Sequence, residues 1–232
     1  MTEFFRFPHT AHIAWLGAGA PRGDKVLSPD ELRELLAGEV LIEEKIDGAN
    51  LGFSVDERGA LRAQNRGAYL ELATARGQWK PLTRWLAPRR QALAEALGPA
   101  LMLFGEWCYA VHSVRYSRLP DWFLAFDVYD RAAGEFWSVA RRRELTARLG
   151  LAEVPERARG VFEARALERL LGESALTDGP AEGIVVRREE AGRLRARGKL
   201  VRAEFVQAIE EHWSRRALEP NRLAAWGDRA RD

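Results

Sequence analysis

The sequence predicts an α+β fold in which antiparallel strand pairs are flanked by helices. Three observations point there. Short apolar runs come in adjacent pairs joined by hairpin-length turns, stretches of helical periodicity lie between those pairs rather than alternating regularly with single strands, and 47% hydrophobic content over 232 residues can bury one substantial core. The expected organisation is an N-terminal segment (1–39) ending in a short helix packed on the core, a principal domain (40–207) and a helical tail (208–232).

The lead-in to residue 27 is loop-rich. Ser28-Pro29-Asp30-Glu31 then supplies an N-cap, a proline at the first helical position and a capping-box glutamate, so a helix should run to about residue 37 and stop at Gly38. Strands are expected over 40–46, 51–55 and 61–65, the last two joined by the Asp56-Glu57-Arg58-Gly59 turn. Residues 78–97 have helical periodicity interrupted at Pro88 and end at Gly98-Pro99. Aromatic apolar runs at 101–108 and 122–129 read as buried strands, whereas 139–149 and 164–171 have helical spacing and glycine stops. A last hairpin is expected over 184–188 and 194–201 around Glu190-Ala191-Gly192, followed by a helix over 204–215.

Composition excludes several classes. No apolar run approaches the roughly 18 to 20 residues of a membrane span, and the N-terminus lacks a secretory pattern, so a cytoplasmic protein without a membrane partner is expected. One cysteine, Cys108, precludes an intrachain disulfide. Net charge is only +2, so any nucleic-acid footprint must be local. Only four of the 36 basic residues are lysines: Lys25, Lys45, Lys80 and Lys199. Arginine cannot lose its proton, so wherever an amine has to become a nucleophile lysine is required, which directs attention to those four.

Four pieces carry chemistry. In Glu44-Lys45-Ile46-Asp47-Gly48-Ala49-Asn50 a lysine ends a strand before a tight turn, an arrangement that holds an amine against a cleft. In Ala181-Glu182-Gly183-Ile184-Val185-Val186 a carboxylate stands at the mouth of a strand, followed closely by Gly198-Lys199-Leu200-Val201-Arg202. Carboxylates and lysines are what phosphoryl chemistry needs, because magnesium takes hard oxygen ligands and phosphate charge has to be neutralised. Phe104-Gly105-Glu106-Trp107 and Phe123-Leu124-Ala125-Phe126-Asp127-Val128-Tyr129 each place an acid in an apolar strand, where it needs a ligand or partner. Taken singly, each piece also has an ordinary structural reading: an edge lysine, a Glu-Gly turn, core aromatics.

Taken in order, Lys45-Ile46-Asp47-Gly48, Phe104-Gly105-Glu106, Phe126-Asp127, Glu182-Gly183-Ile184-Val185-Val186 and Gly198-Lys199-Leu200-Val201-Arg202 resemble the nucleotidyltransferase motifs of covalent ligases and capping enzymes. Asn50, Asn65-Arg66-Gly67 and Ala203-Glu204-Phe205 look like the ATP-dependent RNA ligase branch that includes the phage double-strand-sealing ligase and the trypanosome editing ligases. The resemblance implies an adenylyltransferase domain with a central ATP cleft. It implies Lys45 as nucleophile, Glu106 near the ribose hydroxyls, Phe126 stacked on adenine with Asp127 the acid that follows, and Glu44 at the adenine edge. It further implies Glu182 on a catalytic Mg2+ or Mn2+, Lys199 on the α-phosphate, Arg66 orienting phosphates, Asn50 in the nucleic-acid steps and Asp47 within the catalytic turn.

The relatives carry a second lysine two positions after Lys199, where this sequence has Val201, and Arg202 is the candidate replacement. Fewer than thirty residues follow position 205, so no oligonucleotide-binding barrel or added C-terminal domain is expected, and RNA contact falls to the principal domain, the N-terminal segment or a partner. The Lys45 amine, with a reference pKa of about 10.4, is expected to be shifted downward by magnesium and Lys199. Arginines 62, 66, 115, 118, 187, 188, 193, 195, 197 and 202 are candidates for the RNA backbone, and Arg141-Arg142-Arg143 reads as surface charge. The expected activity is ATP-dependent joining of RNA 5′-phosphate and 3′-hydroxyl ends, with an end-healing kinase or phosphatase as a candidate partner. A DNA ligase, a capping-type enzyme and a non-catalytic nucleotide- or RNA-binding module are the alternatives.

Overall fold

A computed structural model describes residues 4–18, 25–208 and 218–225. In chain order its elements are α1 (Pro29–Leu35), β1 (Val40–Lys45), β2 (Ala49–Val55), β3 (Leu61–Gln64), α2 (Leu82–Leu86), α3 (Arg90–Leu97), β4 (Leu101–Trp107), β5 (Phe123–Asp130), β6 (Glu135–Phe136), α4 (Val139–Leu149), β7 (Ala152–Glu153), β8 (Glu156–Gly160), α5 (Ala164–Leu167), β9 (Gly183–Glu190), β10 (Arg193–Val201) and α6 (Ala203–Ala208). The strands form a four-stranded sheet in the order β10-β9-β1-β8 and a larger sheet ordered β3-β2-β4-β5-β6, with β7 parallel to β5.

Each sheet buries its outer face under helices. Ile42, Ile184, Val186 and Leu200 of the smaller sheet pack with Leu35 and Leu167 from α1 and α5. Leu51, Phe53, Leu103, Trp107 and Phe123 of the larger sheet pack with Leu82, Trp85, Leu86, Leu93 and Leu97 from α2 and α3. Because side chains alternate along a strand, the inner faces carry the other set of residues, which mixes the apolar Leu41, Met102 and Phe104 with the charged Glu43, Lys45 and Arg187. They meet in the space between the sheets, where every charged motif residue of interest except Glu44, Asp47, Arg66 and Arg202 projects from a strand or its first turn.

The α+β expectation holds, with local differences. The capping box at Ser28 and Glu31 forms as expected. The helical stretch over 78–97 is divided at Pro88, as expected, into α2 and α3. Strand β8 was not expected: its sequence, Glu-Arg-Ala-Arg-Gly, is polar and half exposed, and it exists because β1 offers it an edge. The lead-in is partly sheet-like, since His12 bridges Lys199 at the free edge of β10. Of the helix expected over 204–215, residues 203–208 are helical and 209–215 lie outside the described residues. No helix among the described residues is long and apolar enough to cross a membrane.

Candidate active site

Strand register fixes where each motif residue points. On the inner face of the smaller sheet, Lys45 pairs with Gly183, which pairs with Val201; one row deeper, Glu43 pairs with Val185, which pairs with Lys199. Gly183 has no side chain between Lys45 and Val201, and an added Cβ there would collide with the Leu200 carbonyl. The floor beneath the lysine therefore stays open. On the facing sheet Asn50 pairs with Glu106.

Lys45 Nζ donates to Glu182 Oε2 at 2.7 Å, and the lysine side chain is 25% exposed, so the pair lies at the wall of an open cleft. Burial pushes the Glu106 carboxyl up to about 8 and Glu182 up to about 7, in each case against the opposing pull of Lys45. For Lys45, burial lowers the amine, but Glu182, Glu106 and Asp47 together outweigh it and hold the pKa above its ordinary value. The expected downward shift is thus not supplied by protein groups, and the charge of Lys199 bears on Glu182.

A β-bulge arranges the next two residues. Phe104 pairs with Asp127 and Gly105 with Ala125, which leaves Phe126 as the extra residue of β5 and shifts the strand's phase. Consecutive residues can then both serve the inner side: Phe126 packs on Phe7 at 5.3 Å between ring centres, and Asp127 reaches the smaller sheet. Asp127 is ion-paired with Arg187 at 2.8 Å and with Arg197. Arg187 also lies near Glu43, which pairs with Arg142 at 2.6 Å, and Arg142 pairs with Glu153 at 2.9 Å.

Several expectations change. Arg142 is not surface charge: at 1% exposure it is the hub of this buried ladder. Asp127, expected beside the nucleotide, is occupied by two arginines. Glu44 faces away from Lys45 by strand alternation, and its carboxylate accepts from Ser174 Oγ at 2.6 Å, from the Ala175 N–H at 2.9 Å and from Arg157 at 3.3 Å. Asp47 Oδ2 accepts the N–H groups of Ser113 and Val114, at 2.5 and 2.8 Å, so it anchors a loop. Arg202 does not replace the lysine missing at Val201: it lies beyond the end of β10, where its guanidinium donates to Glu204 and to the Leu171 carbonyl.

The candidate RNA-binding arginines are similarly reduced. Arg187 is buried and Arg197 largely covered, both on Asp127, while Arg115 pairs with Glu219, Arg118 with Asp178, Arg193 with Glu135 and Arg195 with Glu190. Arg66 is exposed on the 65–68 turn, held by Asn65 Oδ1 accepting the Gly67 and Ala68 N–H groups, and its charge bears on Glu106. Asn50 Oδ1 is buried without a hydrogen-bond partner beside Glu106, a polar group suited to a ligand. His112, on the loop that Asp47 anchors, bonds Gln78 and feels both Asp47 and Lys45. No local motif marked His112, and only the loop brings it there.

Among the described residues no three His, Cys, Asp or Glu side chains converge as a metal cluster. The donor set instead suits a cation shared with a phosphate ligand: Glu182 and Glu106 are desolvated carboxylates whose charge only Lys45 and more distant bases offset.

The sequence model of the RNA ligase family matches residues 38–201. No curated protein matches the chain by sequence. Among solved structures, an arginine-to-alanine mutant of Naegleria gruberi RNA ligase with ATP and Mn is 18% identical, with a TM-score of 0.63, covering 93% of this chain and 60% of that one. A lysine-to-alanine mutant of the same ligase with ATP and Mn is 18% identical, with a TM-score of 0.58, covering 75% of this chain and 53% of that one. A lysine-to-methionine mutant with AMP and Mn is 16% identical, with a TM-score of 0.61, covering 90% and 65% respectively. The chain thus spans a little over half the length of the first of these ligases, and the likeness is one of fold.

Proposed function

The chain belongs to the RNA ligase family, and from that premise we propose that it is an ATP-dependent RNA ligase that carries AMP on Lys45 and joins RNA 5′-phosphate to 3′-hydroxyl ends. The observation that carries the reading is the meeting of Lys45 with Glu182 and Glu106 at an open cleft between two sheets, with Gly183 leaving the floor clear. The solved relatives with ATP or AMP and Mn share the fold in which this meeting occurs.

In the first step the Lys45 amine attacks the α-phosphorus of ATP; an N–P bond forms, the bond to the bridging oxygen breaks, and pyrophosphate leaves. The amine has to shed a proton first, and Glu182 already accepts a hydrogen bond from it. Glu182 would hold Mg2+ or Mn2+ together with the nucleotide's phosphates, and the cation would neutralise phosphate charge and favour the neutral amine. Lys199, one row deeper on the same face, would meet the α-phosphate, and Phe126 would offer a ring and Glu106 a carboxyl to the nucleoside. Arg66 at the rim and Asn50 beside Glu106 would then serve the transfer of AMP to the RNA 5′-phosphate. The 3′-hydroxyl finally displaces AMP to close the phosphodiester. Positioning and electrostatics do this work, as in phosphoryl transfer generally. Asp47 and Glu44 act at one remove, by holding the surrounding loops.

The test is incubation with α-labelled ATP and magnesium, then with 5′-phosphorylated RNA or DNA strands. Wild-type protein should be labelled covalently and should seal RNA, and Lys45→Arg, which keeps the charge, should take up no label. A labelled Lys45→Arg protein would refute the assignment, and sealing of DNA alone would replace the substrate.

A further inference from the structure

We propose that Asn221, far from Lys45 in sequence and outside every motif, is a positioning residue for the Lys45 turn. The inference deepens the ligase reading and rests on it.

The turn after Lys45 has little of its own to hold it. Its backbone passes close to β4, where a Cβ on Gly48 would stand 2.8 Å from the Trp107 carbonyl, and its fixed bonds all go to one loop. Asp47 Oδ2 accepts from the Ser113 and Val114 N–H groups, and the Asp47 N–H donates to the Tyr116 hydroxyl at 2.8 Å. Register with β9 fixes the backbone of Lys45, and the course of the turn that follows it depends on where residues 113–116 sit. This stretch lies in the long connection between β4 and β5, with no helix or strand of its own.

The segment 219–224 supplies that connection with a frame. Asn221 is 3% exposed, and its amide spans both ends of the loop: Nδ2 donates to the Cys108 carbonyl at 2.8 Å and to the Ala110 carbonyl at 3.0 Å, while Oδ1 accepts the Tyr116 N–H at 2.8 Å. Backbone bonds extend the contact, with Asn221 N–H on Tyr109 O, Arg222 N–H on Tyr116 O, Val111 N–H on Glu219 O and Ala224 N–H on Leu119 O. The chain of contact is short: Asn221 to Tyr116, Tyr116 and its neighbours to Asp47, Asp47 to Lys45. Only a primary amide can give two protons and take one here, because both carbonyls need donors and Tyr116 needs an acceptor.

Asn221→Ala should slow single-turnover formation of the lysyl adduct by about tenfold or more, since small misplacements of reacting groups are costly, while the KM for ATP stays within about twofold. Asn221→Asp keeps the acceptor and loses both donors, and should also be slowed. Leu218→Ser, at the exposed residue just before that segment, should match wild type. Hydrogen exchange at the Ser113 and Val114 amides should quicken in both Asn221 variants. A rate within twofold of wild type for Asn221→Ala, or a loss no larger than the fraction unfolded by circular dichroism, would overturn the assignment. If Asn221→Ala does not fold, Asn221→Asp decides by the same criteria. If wild-type protein takes up no label, the ligase reading fails on its own account. The exchange arm then judges Asn221 alone, with unchanged protection at Ser113 and Val114 counting against it.

Discussion

At one end of the space between the sheets, Arg142, Arg187 and Arg197 interleave with Glu43, Asp127 and Glu153, and charge balances within the protein. At the other end Lys45 faces Glu182, Glu106 and Asp47, and carboxylates are left in excess at an open wall. The two sets touch at β1, where Glu43 and Lys45 lie two residues apart, and at β9, where Arg187 follows Glu182 by five. The ladder is closed on all sides and its members are bonded to one another, which makes it a joint between the sheets. The cleft is left electrostatically incomplete, and its carboxyls accordingly hold their protons toward neutral pH. Incompleteness of that kind is what a cation and a nucleotide would correct.

The largest expected effect comes from breaking the closed end. Arg187→Leu strips Asp127 and Glu43 of a partner inside the core and should cost about 3–5 kcal/mol in a urea titration. A loss below about 1 kcal/mol would mean the ladder is not the joint between the sheets. Breaking the open end should do the opposite. Glu182→Gln should leave the melting temperature unchanged or higher, because it removes a desolvated acid, while adduct formation falls by about a hundredfold or more.

The pH dependence separates the two ends next. Glu106 and Glu182 have folded-state pKa values of about 8 and 7, above their unfolded values, so between about pH 4.5 and 8 the folded state binds more protons than the unfolded one. Stability of the ligand-free protein should therefore decline as pH rises through that window. Glu106→Gln should flatten the decline, as read from melting curves across buffers; an unaltered slope would place the strain elsewhere. The smallest effect is Ser174→Ala, which takes one of the donors from buried Glu44 and should cost about 1–2 kcal/mol without altering adduct formation beyond a few-fold.

Much of this comparison could be read before the fold. The hairpins, the α1 cap, and the positions of Lys45 at a strand end, Glu106 within an apolar strand and Glu182 at the mouth of one follow from local pattern. What escaped is non-local. Arg142 sits in a run of three arginines that looks solvated, and only the arrival of Glu43 and Glu153 from other elements makes burial affordable. Phe126 and Asp127 look like neighbours on opposite faces until the bulge opposite Phe104 and Gly105 turns both inward. Arg202 looks like a replacement lysine until β10 ends one residue too soon.

By itself the sequence determined the chemistry available: one lysine at a strand end in an arginine-rich chain, acids in apolar strands, and glycines where backbones pass closely. Those are properties of single residues and short spacings, which local sterics and side-chain chemistry set directly. Tertiary structure decided which charges were spent on holding the molecule together and which remained for a ligand. That division depends on the register between β1, β9 and β10 and on the facing of two sheets, and register is a relation between segments that no one of them contains.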